Sequence, residues 1–455
     1  MPKTRAADTR RQEDEEMMTE GETGARVWSA AFVGMLGLCL ALCVLSTVAA
    51  APASAPLIGA IRFEGNHVTR ASVLRQQLLI RVGEPLVPSR VAASRQAIMN
   101  LGLFVRVNDR VEPLSNGRVA VIFAVKEKTY TWALPRLGRN ADGDISYGGQ
   151  LEFDNLFGLD QRLKLIVEQK QIAGGGTADQ QSIEYSTPRL PGTAYGFSTN
   201  LTHTQQLEQI EAANGSVGEY RNQNLGLNAA LTRWLYREGP NTGWSGSVGL
   251  GVSQSNYQYV SGAPDLASSG REVAISVGAD YTRVALGRYG YRNGVEYGIS
   301  ASVGGPLIGS DYNQAATGGY YRGYQRLGGD QNLNYQLRFG LSSRSRLLGP
   351  AYTLGGAGTL RGYVRDSLEG NAYMLANVEY LHPLFGQPLL RGVLFTDVGN
   401  AWFRGDDSPW RLEPAAGLGL RWHITWLVNV NLRVDVAYAF GQHRYQAYVG
   451  SNSMF

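Results

Sequence analysis

Cysteine is scarce in this chain of 455 residues, which contains only Cys39 and Cys43. Both lie in one uncharged apolar run, residues 27–50, close to the N-terminus. Leu38 and Leu42 precede them, whereas a lipoprotein cleavage site needs a small residue there. Cleavage after the run would leave a chain without cysteine, which excludes disulfides and thiol chemistry.

Long apolar runs are absent after residue 50, because polar residues interrupt the chain every few positions. This pattern excludes a membrane protein built from several apolar helices. The net charge is only +4, and no basic cluster indicates a nucleic-acid partner.

Signals for enzymatic chemistry are also missing. The five histidines show no metal-ligand spacing, so we predict neither a metal site nor a cofactor. No G-x-S-x-G nucleophile motif occurs, and we predict that the protein is not an enzyme. The enzymatic alternative is a barrel phospholipase that uses His423 and a serine on an outer wall.

The N-terminal segment is typical of an export signal. Residues 1–26 are rich in charge, residues 27–50 are apolar, and small residues follow at 49–55. We therefore predict a signal peptide with its n-region over residues 1–55. An uncleaved anchor helix is the alternative, because the apolar run is rather long for a signal.

Residues 57–127 predict a small α/β module with the order strand, helix, helix, strand, strand. Its first helix is expected over residues 69–80 with Thr69 as its cap, and its second over 88–101. Strands are expected over residues 57–64, 104–111 and 119–125. An edge strand of such a sheet can accept an extended polypeptide through main-chain hydrogen bonds.

From residue 130 to residue 455, alternation of apolar and polar residues predicts a transmembrane β-barrel. Strands 333–342 and 428–438 each place apolar side chains on one face and polar side chains on the other. The 57 glycines and 24 tyrosines fit a chain rich in strands and turns. A bilayer forbids open sheet edges, so the strands must form a closed sheet.

We count about sixteen strands in this region, an even number as bacterial barrels require. Their predicted centres lie near residues 135, 150, 165, 184, 200, 226, 249, 278, 299, 323, 337, 377, 394, 418, 433 and 449. The chain ends on Phe455, an aromatic residue that closes the alternating pattern of the last strand.

A glycine-rich connection at residues 343–370 carries Arg361. Glu379 and Asp397 follow on the next two predicted strands, on faces that should point into the lumen because a carboxylate is costly against lipid. One guanidinium can donate to two such carboxylates. Phosphate binding by the glycines is disfavoured, because no Lys-Ser/Thr pair and no strand-to-helix context follow them.

Several motifs resemble those of known outer-membrane proteins. In the module, Phe63-Glu64-Gly65-Asn66, Gly83-Glu84-Pro85-Leu86 and Leu101-Gly102-Leu103-Phe104 resemble a polypeptide-transport-associated (POTRA) domain. Leu360-Arg361-Gly362-Tyr363, Asn377-Val378-Glu379-Tyr380 and Phe395-Thr396-Asp397-Val398-Gly399 resemble the late barrel motifs of the superfamily of outer-membrane assembly factors and two-partner-secretion transporters. Residues 149–158 and the pair Pro188-Arg189 resemble its first barrel strands.

The resemblance implies a 16-stranded outer-membrane barrel with one POTRA domain in the periplasm. It assigns Arg361, Gly362 and Tyr363 to a loop locked against Glu379, Asp397 and Gly399, and Phe455 to an assembly signal. We accordingly expect Arg361→Ala to be more harmful than loss of either acid. The implied function is insertion or assembly of client polypeptides at the outer membrane, in contact with its lipid.

Three alternatives remain open at this point. A two-partner-secretion transporter belongs to the same superfamily, and a passive porin is a different class that needs no periplasmic module. An unrelated α/β domain is the alternative for residues 57–127. Arg361 can also be an ordinary solvated loop residue beside two unrelated acids.

Overall fold

The computed structural model describes residues 55–139, 145–171, 176–190, 192–211, 215–287, 289–344, 349–405, 411–428 and 431–451. Residues 1–54 of the predicted export segment and the predicted assembly signal Phe455 lie outside this part, so both assignments stay predictions. Within the described ranges, no helix is both long and apolar enough to cross a membrane.

The first part of the described chain is a small α/β module. Its elements are β1 (Ile58–Glu64), α1 (Ala71–Arg75), α2 (Pro88–Asn100), β2 (Phe104–Pro113) and β3 (Val119–Glu127). Strand β3 lies in the centre of the sheet, parallel to β1 and antiparallel to β2. The helices cover this sheet with apolar side chains, and the buried core includes Leu74, Ile98 and Phe123.

The prediction for the first helix is wrong in its length and in its cap. Helix α1 has only five residues, and no side chain caps its N-terminus. The Thr69 hydroxyl instead hydrogen bonds with the Tyr130 hydroxyl at 3.0 Å and accepts from Asn155 Nδ2 at 2.9 Å. The Thr69 hydroxyl, which the sequence predicts to cap the helix, instead joins the module to the start of the barrel.

The rest of the chain forms one antiparallel sheet of sixteen strands, which confirms the predicted fold class. Its strands are β4 (Thr131–Arg139), β5 (Ile145–Leu156), β6 (Gln161–Gln171), β7 (Thr177–Thr187), β8 (Tyr195–Glu211), β9 (Val217–Gly239), β10 (Thr242–Gly262), β11 (Gly270–Leu286), β12 (Arg292–Gly304), β13 (Gln314–Arg326), β14 (Asn332–Ser342), β17 (Ala372–Leu384), β18 (Gln387–Trp402), β19 (Glu413–His423), β20 (Asn431–Ala439) and β21 (Arg444–Ser451). Every predicted strand centre falls within one of them.

Each barrel strand pairs with its neighbour in the chain, except where the long connection separates β14 from β17. That connection contains a hairpin of two short strands, β15 (Tyr352–Leu354) and β16 (Leu368–Gly370), which the sequence pattern did not indicate. Because the strands run up and down in turn, this connection lies at the end of the barrel opposite the module.

The two faces of the wall differ as the alternation predicts. On β14, Leu337 and Phe339 are 45% and 43% exposed, whereas Gln336, on the opposite face, is 3% exposed. Apolar side chains therefore face the lipid, and polar ones face the lumen. The predicted strand 428–438 begins only at Asn431, because Val428 leaves the wall and packs into the core of the module.

The two ends of the sheet, β4 and β21, lie close together, and the barrel is nearly closed. In the described residues no register of backbone pairs joins these two strands. A backbone hydrogen bond beside them, from Thr129 N to Trp426 O at 2.8 Å, ties the segment before β4 to the turn before β20. We call the junction between β4 and β21 the seam.

A carboxylate organises the junction between module and barrel. Glu127 accepts hydrogen bonds from the backbone N–H groups of His67, Val68 and Thr69 at 3.1, 3.0 and 2.7 Å. Burial acts to raise the pKa of Glu127, but these hydrogen bonds outweigh it and lower the pKa. The next residue, Arg70, donates its backbone N–H to Gly158 O in the β5–β6 turn at 2.9 Å.

We expect Glu127→Gln to reduce the protection of the amides of residues 67–69 from hydrogen exchange at pH 7, by up to about tenfold, because hydrogen bonds to a charged acceptor are lost. The folded-state pKa lies below the unfolded value of about 4.5. The stabilisation of residues 67–69 by ionised Glu127 is therefore fully present above about pH 4.5, and it is lost as the pH falls through the folded-state pKa. Hydrogen exchange corrected for intrinsic rates should show parent and variant converging in acid.

Glu64→Gln is the matched control, since Glu64 pairs with Arg110 and accepts no hydrogen bond from residues 67–69. Equal protection of these amides in the parent and in Glu127→Gln at pH 7 would contradict the assignment.

Candidate functional site in the barrel lumen

The long connection between β14 and β17 folds into the barrel, where Arg361 is fully buried. Gly362 makes this path possible in two ways. Its φ is +91°, and a Cβ there would lie 2.8 Å from the backbone N of Ala439 on β20. Only glycine therefore fits between the loop and the wall. The Gly362 N–H donates to the Tyr448 hydroxyl of β21 at 3.0 Å.

The structure brings Arg361 together with both predicted acids. Its Nε and Nη2 atoms donate to Asp397 Oδ2 and Oδ1, each at 2.7 Å, and its backbone N–H donates to Asp397 Oδ2 at 3.1 Å. Its Nη1 donates to Glu379 Oε1 at 2.5 Å. The guanidinium also lies over the Phe395 ring, 3.5 Å from the centroid. The planar guanidinium thus contacts two strands of the wall at once.

Three further charged side chains complete this site, and sequence reasoning did not assign them to it. Arg421 Nη2 donates to Glu379 Oε1 at 2.8 Å, and Arg421 Nη1 donates to Asp435 Oδ1 at 2.5 Å. Arg433 Nε lies 3.0 Å from Asp435 Oδ2. We name the six residues the lumen charge cluster: Arg361, Arg421, Arg433, Glu379, Asp397 and Asp435.

The lumen charge cluster balances three guanidinium groups against three carboxylates, and each side chain is at most 8% exposed. Burying unpaired charges costs several kcal/mol each, so this balance is what permits so many charges in one place. The alternation on β20 already placed Arg433 and Asp435 on the lumen face. Only the register, with Arg421 opposite both Arg391 and Arg433, brings Arg421 to the same level.

The remaining predicted residues surround this cluster. Tyr363 is buried; its hydroxyl donates to Glu413 Oε2 at 2.8 Å and accepts from Gly441 N at 3.0 Å. Gly399 lies opposite Leu375, and a Cβ there would lie 3.0 Å from Leu375 Cδ1. The missing side chain at Gly399 therefore leaves room for Leu375, a buried residue under the loop.

Asn377 is a further residue of the site, because its Nδ2 donates to Asp397 Oδ1 at 2.7 Å and to Thr359 O at 2.9 Å. It therefore binds both the loop and the carboxylate that holds the loop arginine.

The geometry does not support the phospholipase alternative. His423 lines a chamber in the lumen rather than an outer wall, and its Nδ1 hydrogen bonds with Asn431 Oδ1 at 2.8 Å. In the described part of the chain, no group of three or more His, Cys, Asp or Glu side chains is placed to hold a metal ion.

We expect Arg361→Ala to destabilise the barrel by about 3–5 kcal/mol, because it leaves Asp397 buried with Asn377 as its remaining partner. Asp397→Ala should be the next most destabilising change. Glu379→Ala should destabilise the barrel least, because Arg361 still pairs with Asp397 and Arg421 still pairs with Asp435. Arg361→Lys should rescue poorly, because an ammonium lacks the planar pair of donors.

The measurement is the urea midpoint of unfolding, read from the gel mobility of unboiled protein. Arg365→Ala is the matched control in the same loop, because Arg365 is mostly exposed and its ion pair in the described residues is with its neighbour Asp366. A parent-like midpoint in Arg361→Ala would refute the locking role.

Comparison with known proteins agrees with this architecture. The model of the Omp85 superfamily domain matches residues 155–450, and that of the POTRA surface antigen variable number repeat matches residues 56–128. A curated relative, the outer membrane protein assembly factor BamA of Neorickettsia risticii, is 27% identical over 416 residues. The match covers 83% of this chain, and the chain spans about half the length of that relative, 52%.

Solved structures show the same fold at low identity. BamA from Haemophilus ducreyi lacking POTRA domains 1–3 has a TM-score of 0.53 at 20% identity, covering 87% of this chain and 84% of that one. CdiB from Acinetobacter baumannii has a TM-score of 0.59 at 15% identity, covering 86% and 73%. CdiB from Escherichia coli has a TM-score of 0.60 at 16% identity, covering 87% and 74%.

The family match extends over most of the chain and includes the loop and wall that hold Arg361. A barrel of this type with a POTRA domain lies in the outer membrane, with the POTRA domain in the periplasm. The chain is therefore a member of the Omp85 superfamily.

Proposed function

We propose that this protein is an outer-membrane assembly factor that captures extended polypeptides with its POTRA module and inserts them into the membrane at the seam. The observation that carries the proposal is the seam itself, where β4 and β21 lie close together without a register of backbone pairs in the described residues. Unpaired strand edges accept further strands. The curated assembly factor that resembles this chain supports the same activity.

The module offers the edge of β2 for client capture. The outer edge of β1 is occupied at its first residue, because Ile58 N donates to Glu84 O at 2.9 Å and Gly83 N donates to Ile58 O at 2.8 Å. The outer edge of β2 has no strand beside it in the described part of the chain. An extended client can add a strand at β2, with affinity supplied by its backbone rather than by its sequence.

The lipid-facing surface fits a protein that works inside a membrane. Apolar side chains cover the outside of the wall, and the rings of Trp244, Tyr281 and Tyr297 contact one another on three adjacent strands. Aromatic groups of this kind lie where the apolar part of the bilayer meets its polar headgroups. We therefore propose outer-membrane lipid as a direct partner of this surface.

A passive porin is a poorer interpretation, because the buried loop occupies the lumen at the level of Arg361. A two-partner-secretion transporter is the second candidate. It is favoured by a chamber of about 370 Å³ in the lumen, lined by both the module and the barrel. Such a chamber provides space for a short polypeptide segment on a route through the pore.

Vesicles that contain the purified protein distinguish the two functions. Under the assembly proposal, an added unfolded barrel client becomes embedded in the membrane and gains heat-modifiable gel mobility. Under the secretion alternative, a client is instead found inside the vesicle, protected from protease and not embedded. Clients that remain outside and fully digestible would refute both.

Proline in β2 tests the capture step, because proline removes a backbone donor from an edge. Adjacent residues of an edge strand point their N–H groups to opposite sides, so Asn108→Pro and Arg110→Pro are compared with Asp109→Pro. The variants whose module remains protease-resistant should insert client several-fold more slowly. Ser115→Pro in the β2–β3 turn is the control. Undiminished insertion by every folded β2 variant would sink the capture model.

A further inference from the structure

The chamber in the lumen lies between the lumen charge cluster and the module. Glu379 and Arg421 of the cluster line it on one side, and Met99, Phe104 and Lys128 of the module and linker line it on the other. Gly287 and Gly290, in the turn between β11 and β12, also line it. The turn at this position closes part of the periplasmic mouth.

The β11–β12 turn, described at Gly287 and residues 289–291, contacts a part of the barrel wall four strands away from β12. Tyr291 lies under the Arg391 guanidinium of β18, 3.7 Å from the ring centroid, and its hydroxyl donates to Pro388 O at 3.3 Å. Strands β13, β14 and β17 separate β12 from β18 along the wall. A contact between strands this far apart covers part of the mouth of the barrel.

The Arg391 side chain also binds the backbone of this turn. Its Nη2 donates to Tyr289 O at 2.5 Å, and its Nε donates to Pro388 O at 3.2 Å. Arg391 and Tyr291 are 7% and 5% exposed, so the contact is largely desolvated. A cation–π contact of this kind is strongest when water is excluded.

Gly290 extends this contact to β19. Its φ is +73°, and a Cβ there would lie 2.8 Å from His423 Cε1 on β19. The turn therefore touches β18 and β19 together, and a side chain at Gly290 would push it away from them.

The module holds the other end of the same turn. Asn100 Oδ1 of α2 accepts from Leu286 N at 2.9 Å, and Gln96 Nε2 donates to Leu286 O at 3.0 Å. Asn100 Nδ2 donates to Val284 O at 3.3 Å. Leu286 directly precedes Gly287, so a movement of α2 pulls on the residue where the turn begins.

We propose that the β11–β12 turn is a latch that closes the chamber towards the periplasm, with Arg391 as its catch and α2 as the lever that releases it. The inference rests on the proposed function, because it makes client capture by the module the event that opens the lumen. Its chemistry is a desolvated arginine–aromatic contact that is lost in one step when the turn moves.

Thiol labelling tests the latch without any client. Asn334 lines the chamber and becomes its reporter as Asn334→Cys, in a full-length chain whose Cys39 and Cys43 are replaced by serine. A maleimide carried on polyethylene glycol should label this cysteine about tenfold faster in Arg391→Gln and in Tyr291→Leu. The labelling rate in Arg391→Lys should lie between the rates of these two variants and that of the parent, because lysine keeps the charge but lacks the planar donors.

Lys164→Gln is the matched control, since it also removes a positive charge from the chamber lining but Lys164 pairs with Glu184, away from the turn. Parent-like labelling in both Arg391→Gln and Tyr291→Leu, in protein that keeps heat-modifiable mobility, would overturn the latch. Labelling that rises equally in Lys164→Gln would overturn it as well.

The lever is tested by the double variant Gln96→Ala, Asn100→Ala, with Arg90→Ala on the exposed side of α2 as control. The double variant should change the labelling rate of the chamber at least threefold, and the control should leave it at the parental rate. An unchanged rate in the double variant would overturn the coupling to the module. Failure of client insertion with intact labelling effects would instead count against the proposed function alone.

Discussion

Charge neutrality in the lumen is the constraint on which the rest of this structure depends. Three guanidinium groups and three carboxylates share one buried site, and all three carboxylates lie within 3.6 Å of the single arginine supplied by the loop. The balance explains why the loop lies inside the barrel rather than in solvent. Apart from Arg361, Glu379 accepts a hydrogen bond from the charged Arg421, whereas Asp397 accepts one from the neutral Asn377.

The same loop depends on residues that carry no charge. Gly362 lets the backbone lie against β20, and Tyr363 binds the rim of the barrel through Glu413. The neutral contacts fix where the loop lies, and the charged contacts make that position hard to leave. Moving the loop out of this position would expose Asp397 to water or to a new cation.

At the periplasmic end, the module and the barrel act as one unit. Val428 of the barrel packs in the core of the module, while Asn155, Tyr130 and Thr69 form a hydrogen-bond chain between them. Through Gln96 and Asn100 the module also contacts the β11–β12 turn. The module therefore contacts the mouth of the lumen directly, through side chains of α2.

The sequence by itself determined the sixteen barrel strands. Apolar residues at every second position predict strands with one lipid-facing side, and a bilayer requires such strands to form a closed sheet. It also determined the wall faces of Glu379 and Asp397, and the resemblance of their motifs pointed to Arg361 as their partner. Local pattern failed at Thr69 and Val428, where a long-range contact between module and barrel overrides the preference of the segment. Only the tertiary structure decided that Arg421, Arg433 and Asp435 join the same cluster and that Tyr291 meets Arg391. Those contacts depend on strand register and on closure of the sheet, which bring together residues that no spacing along the chain connects.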